Sequence, residues 1–154
     1  MSTASKQVRV RDLLNEARGL SGDFDALSEV VAARVGLNQS DLLALDLISR
    51  DDGVTAGQLA ERLHLTTGAI TGVIDRLAKA GFARRADDPR DRRRVLVVAT
   101  PKEARISQLY ASLSTRMRAL ANRYSSEELE LLTGFVREMR QVVRGSIDGL
   151  TAGR

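Results

Sequence analysis

Cysteine and tryptophan are absent from the chain, and three phenylalanines and two tyrosines are its only aromatics. Without a thiol there is no disulfide, no thiolate metal site and no thiol redox sensor, which suits a reducing compartment. With so few aromatics, the core has to be assembled from Leu, Val, Ile and Ala. The single histidine, His64, has no carboxylate or second histidine at a ligand spacing, so it reads as structural or phosphate-facing rather than metal-binding. No apolar run approaches the roughly 18 residues of a membrane span, and the polar N-terminus lacks the apolar stretch of a signal peptide. The expectation is a cytoplasmic protein with no membrane partner. A Gly-rich phosphate loop, a nucleophile elbow and a Cys or His pair for covalent catalysis are also missing. The acidic pairs Asp51-Asp52 and Asp87-Asp88 sit in turns, where turn chemistry explains them. Neither an enzyme, a metal nor a cofactor is expected.

What is present is helical periodicity. The 154 residues fit one domain. Residues 8–35 place Val8, Leu13, Leu14, Ala17, Leu20, Phe24, Leu27, Val30 and Val31 mostly at spacings of three and four, with Gly19 and Gly22 marking a kink or a break into two pieces. Gly36 ends this helix, and Asn38 caps a second over 39–50, striped by Leu42, Leu45 and Ile48. Asp51-Asp52-Gly53 is a turn. Thr55 and Gln58 form a capping box that opens a third helix to about Leu63.

Thr66 to Gly81 is the segment around which the rest is organised. Ile70, Val73, Ile74 and Leu77 make one apolar stripe; Thr67, Gly68, Thr71, Gly72, Asp75 and Arg76 lie opposite, small or hydrogen-bonding. A helix with such an outer face can enter a DNA major groove closely, although an ordinary packed helix with a solvated side has the same pattern. Preceded by the third helix after a tight connection, it has the shape of a helix-turn-helix.

After Gly81 the period changes. Phe82–Arg85 and Arg94–Ala99 read as two strands, joined by a polar loop over Ala86–Arg92, and a two-stranded ribbon after a helix-turn-helix is a wing. From Arg84 to Arg94 there are six Arg and three Asp and no Lys. Arginine suits phosphate pairing and insertion into a narrow minor groove. Asp91 is placed to orient Arg76 or Arg93 through a bidentate pair. Beyond the wing, Thr100, Pro101 and Glu103 predict a capped helix start, with a helix to about Arg123. Ser125 and Glu128 open a last helix whose polar end, from Gly149, is expected to fray. The apolar stripes of residues 8–35, 101–123 and 126–148 are more than a compact unit of about 60 residues can cover, so they are expected to bury one another and a second copy of the chain. A monomeric helical bundle beside a winged helix is the alternative.

These motifs together resemble the MarR (multiple antibiotic resistance regulator) family. The carrying residues are Gly36-Leu37-Asn38-Gln39, Thr55 with Leu59-Ala60, Ile70-Thr71, Ile74-Asp75-Arg76-Leu77, Gly81-Phe82, Arg84-Arg85, and Asp91-Arg92-Arg93-Arg94 with Leu96 and Thr100, over roughly residues 25–105. The resemblance implies a mainly α fold with a small β-wing: a winged helix-turn-helix over 37–100, and a helical dimerisation region from both chain ends, 1–36 and 101–154. It implies a homodimeric transcriptional regulator, a repressor binding double-stranded DNA at a pseudo-palindromic operator. Thr66, Thr67, Gly68, Thr71 and Arg76 then fall on the reading helix. Arg93 matches the family's wing arginine, Asp91 the acid that braces it, and Arg90 and Arg92 stand close enough for phosphate contacts. Many relatives are released from DNA by a small phenolic or carboxylate effector, for which no residue here identifies a site. Two departures stand out: Ala99-Thr100-Pro101-Lys102-Glu103 replaces the family's Leu-Thr-x-x-Gly, and Gly72 replaces a larger side chain. A winged-helix protein-interaction module that touches no nucleic acid is the competing reading; the arginine-rich wing discriminates against it.

Overall fold

The computed structural model describes residues 3–51 and 53–152. The chain divides into two compact units, Met1–Leu109 and Tyr110–Arg154. In the first unit, helix α1 (Thr3–Val35) is followed by α2 (Gln39–Arg50), α3 (Ala56–Arg62), α4 (Thr67–Lys79), strand β1 (Ala83–Asp88) and strand β2 (Asp91–Ala99). A 3-10 turn (Pro101–Glu103) then leads into α5 (Ala104–Ala121), inside which the unit boundary falls, and α6 (Ser126–Ala152) completes the chain.

Helix α1 is one element of 33 residues, so the glycines at 19 and 22 do not break it into two pieces. Both stand where nothing lies within 4 Å of the missing Cβ. Each costs only about 0.5–1 kcal/mol relative to Ala, which a helix of eight or nine turns absorbs. Helices α1, α3 and α4 end in the same way. In each, two amides past the last turn bond back to its carbonyls: Leu37 to Ala32 (2.9 Å), Leu65 to Ala60 (2.9 Å) and Phe82 to Leu77 (2.9 Å) are the longer-reaching bonds. The residue between must be left-handed. Gly36 (φ +72°) and Gly81 (φ +77°) supply it at two ends, as the sequence predicts, and His64 (φ +53°) at the third.

The core of this unit joins α2, α3 and α4 to the base of the wing. Leu45, Ile48, Leu59, Ile70, Ile74, Leu77 and Phe82 are its fully buried large side chains. Burying the four-residue stripe of α4 (Ile70, Val73, Ile74, Leu77) contributes on the order of 6–12 kcal/mol before conformational entropy is subtracted. One element went unforeseen. Val54 pairs antiparallel with Val97, its N–H donating to the Val97 carbonyl (3.1 Å) and its carbonyl accepting the Val97 N–H (2.7 Å). Gly53 makes this approach feasible: its φ is +131°, and a Cβ would lie 3.0 Å from Val98 Cγ1. The turn expected at 51–53 includes Asp52, which lies outside the described residues.

Two expected boundaries need correction. The wing strands run Ala83–Asp88 and Asp91–Ala99 rather than 82–85 and 94–99. Ala86, Asp87 and Asp88 pair with Leu96, Val95 and Asp91, so Asp91 and Arg92 belong to β2 rather than to a loop, although residues 92–94 bulge without partners. The capping box at Thr100 does not form. The Thr100 N–H is taken by the Phe82 carbonyl (2.9 Å), and the Glu103 carboxylate accepts from Ser107 Oγ (3.3 Å) instead. Thr100 still caps, its hydroxyl accepting the Lys102 N–H (3.3 Å) and donating to the Gly81 carbonyl (2.7 Å).

In the second unit, Ser125 and Glu128 form the predicted reciprocal box (2.8 and 3.2 Å) at the start of α6. The helix runs through Gly149 to Ala152. Its apolar side chains stay exposed: Leu132, Phe135, Val136, Val143 and Ile147 all retain more than a third of their surface. The same is true, in the first unit, of Val10, Leu13, Leu14, Leu20 and Phe24 on α1.

Candidate nucleic-acid interface

Helix α4 presents two faces, as its sequence dictates. Thr66 caps it, its hydroxyl accepting the Ala69 N–H (3.3 Å). With the apolar stripe turned inward, Thr67, Gly68, Thr71 and Asp75 are exposed and Gly72 is half-buried. The Thr71 hydroxyl donates to the Thr67 carbonyl (2.9 Å), so its lone pairs and methyl remain for an incoming surface. Nothing lies within 4 Å of a Cβ at Gly68, which leaves the first turn open to close approach. At the other end, Lys102 Nζ donates to the Ala80 carbonyl (2.6 Å) and lies 4.8 Å from the Phe82 ring centroid, a cation at the negative end of the helix.

The wing lies beside this face. Arg85 of β1 pairs with Asp75 of α4 at 2.9 Å, one turn along from Thr71. The hairpin reverses at Pro89-Arg90, where Asp88 Oδ1 accepts the Arg90 N–H (2.9 Å) in an Asx turn. Its register then jumps: Asp87 faces Val95 but Asp88 faces Asp91, leaving residues 92, 93 and 94 without partners on β1. The bulge therefore falls on the arginine run, and bulges re-aim side chains. Asp91 Oδ1 accepts the backbone N–H of Arg93 (3.0 Å), and Arg94 Nε stands 3.9 Å from Asp88. Among the described residues neither Arg90 nor Arg93, both exposed, has a carboxylate within ion-pairing distance. The side chain of Arg92, also expected to contact phosphate, lies outside the described residues.

Arg76 departs from its expected surroundings. Asp91 does not orient it. Its Nε donates to both oxygens of Asp41 (3.1 and 3.1 Å) and its second guanidinium nitrogen to Oδ1 (2.8 Å). Asp41 is completely buried, and its Oδ2 also accepts the Asn38 N–H (3.1 Å). These bonds hold the Arg76 guanidinium protonated above its already high ordinary range. A Cβ on Gly72 would sit 3.4 Å from the guanidinium, an ordinary contact. Sequence reading missed Asp41, yet a signal was there: residues 41, 45 and 48 share one helical face, and an acid beside Leu45 and Ile48 has to find a cation. Lys102 and the Asp75–Arg85 pair left no such trace, being set by tertiary placement alone.

His64, exposed at the turn between α3 and α4, belongs to no cluster of metal-ligating groups among the described residues. No helix among them is long and apolar enough to cross a membrane.

Known proteins share this fold. The MarR family matches residues 37–95. The HTH-type transcriptional regulator YcgE of Bacillus subtilis is 36% identical over 123 residues, 79% of this chain and 80% of that protein. The HTH-type transcriptional repressor YetL of the same organism is 28% identical over 115 residues, 73% of this chain and 69% of that one. Among solved structures, Streptococcus pneumoniae FabT in complex with DNA superposes with a TM-score of 0.69 at 20% identity, covering 88% of this chain and 97% of that one. The fold, the motif order and these relatives agree: the chain belongs to the MarR family of winged helix-turn-helix transcriptional regulators.

Proposed function

We propose that the protein is a homodimeric repressor that binds a pseudo-palindromic DNA operator, with α4 in the major groove and the wing against the flanking minor groove. The observation that carries this reading is the Asp75–Arg85 pair at 2.9 Å. It joins the exposed threonine-lined side of α4 to a wing whose Arg90 and Arg93 are free to meet phosphate. Thr66, Thr67, Gly68 and Thr71 are the groups assigned to the groove, Arg90, Arg92 and Arg93 those assigned to the wing contacts, and Asp91 the brace of the wing backbone. A relative named as a repressor and a similar fold solved with DNA support the same reading.

Dimerisation is assigned to residues 1–36 and 101–154, and winged-helix binding to 37–100. The exposed apolar side chains of α1, and separately those of α6, support this, since exposed apolar faces mark association surfaces. A twofold dimer presents two reading helices about one helical turn, on the order of 34 Å, apart. Release by a small phenolic or carboxylate ligand completes the proposal. Selection of bound duplexes from a random pool tests it: two inverted half-sites at that spacing are expected, and affinity for them should fall when a ligand of that class is added. Recovery of no enriched sequence would refute operator binding.

A further inference from the structure

We propose that Arg76 and Asp41 are positioning residues for operator reading, and that Arg76 itself contacts neither base nor phosphate. The inference rests on the DNA-binding reading above and reassigns one of its residues. Asp41, in the first turn of α2, is wholly buried, while the Arg76 side chain is 49% exposed. Three hydrogen bonds nevertheless commit the inner edge of the guanidinium to that carboxylate, across 35 residues of sequence. The neighbouring residue, Asp75, is held from another side by Arg85 of the wing. Consecutive residues of a helix point about 100° apart, so these two tethers, one to α2 and one to β1, oppose rotation of α4 about its own axis.

Rotation is the motion that reading tolerates least. A side-chain tip about 5–6 Å from the helix axis moves roughly 2 Å for a turn of about 20°, which is more than a hydrogen bond to a base edge survives. The buried stripe of Ile70, Val73, Ile74 and Leu77 fixes which face turns inward but supplies no directional bonds. A bidentate arginine–carboxylate fork supplies the direction. Gly72 lies alongside the fork, where a Cβ would sit 3.4 Å from the guanidinium, in ordinary contact with it.

The test uses the full-length protein and a duplex selected from a random pool, compared with a scrambled duplex across a salt titration. Measurements are made at a temperature where circular dichroism shows each variant folded. Asp41→Asn keeps the shape and the bond from Asn38, and is the variant that folds most securely. It should lower the ratio of specific to scrambled affinity by about tenfold, the scale of one spoiled base pair, without changing the salt slope. Arg76→Gln should show the same loss at the same slope, and the double variant no further loss. Arg76→Lys, which keeps the charge but not the fork, should fail to restore the ratio. A salt slope reduced by about one per subunit in Arg76→Gln, or full recovery in Arg76→Lys, would make Arg76 a phosphate contact and overturn the inference. So would folded variants whose ratio matches the parent, which would reduce the pair to a stabilising brace. If the parent protein enriches no duplex, the DNA-binding reading itself fails, a result distinct from either.

Discussion

Replacing His64 by glycine should stabilise the protein, although it removes a side chain from the motif itself. The three closures that end α1, α3 and α4 provide the comparison: the left-handed residue is glycine at 36 and 81 and histidine at 64, with φ values of +72°, +77° and +53°. Holding a residue with a Cβ in that region costs about 1–2 kcal/mol. Glycine removes this cost but returns about 0.4–1 kcal/mol through the greater freedom of the unfolded chain. The net gain is about 0.5–1 kcal/mol, or a rise in Tm of roughly 1–4 °C for a chain of this size. Thermal and urea unfolding followed by circular dichroism, at one fixed protein concentration because self-association shifts apparent stability, measures it. Gly81→Ala is the mirror control. A Cβ there would meet Lys102 Cδ at an ordinary 3.7 Å, so its penalty is backbone strain alone, and a loss of about 1 kcal/mol is expected. If His64→Gly destabilises the protein while Gly81→Ala behaves as stated, the imidazole makes contacts that outweigh its strain, and the reasoning is refuted.

Gly53→Ala combines a positive φ with a Cβ 3.0 Å from Val98 Cγ1 and should cost about 2–4 kcal/mol; unchanged denaturant midpoints would show that the Val54–Val97 pairing is dispensable. Arg93→Ala should weaken binding and lower the salt slope by about one per subunit, whereas an unchanged slope would remove this arginine from the phosphate contacts. Changes at Thr67 or Thr71 should alter which bases the protein enriches from a random pool. A uniform loss across sequences would mean that these groups position rather than read.

Much of this was legible because local chemistry and tertiary structure agree. Asn38, Thr55, Thr66 and Ser125 cap the helices they precede, and Gly36 and Gly81 stand where a left-handed stop is required. The stripe of α4 is buried residue for residue. What was not legible depends on distant partners. Thr100 and Glu103 have the spacing of a capping box, but the Phe82 carbonyl claims the amide that Glu103 would need. The polar residues 86–88 and 91–93 carry no strand pattern, yet the hairpin extends through them because each pairs across or bulges beside its neighbour. Asp91 is the acid that sequence proximity offers Arg76, but the partner is Asp41, buried on the apolar face of α2 and brought in by tertiary packing.

The central claim is that α4 and the wing act together on one face and that a twofold partner repeats them. Hydroxyl-radical footprinting of the protein on a selected duplex measures this most directly. The account predicts two symmetric protected regions about 34 Å apart, each with a flanking minor-groove patch that disappears in Arg93→Ala. A single unpaired footprint, or paired footprints whose flanks are untouched by that substitution, would contradict it.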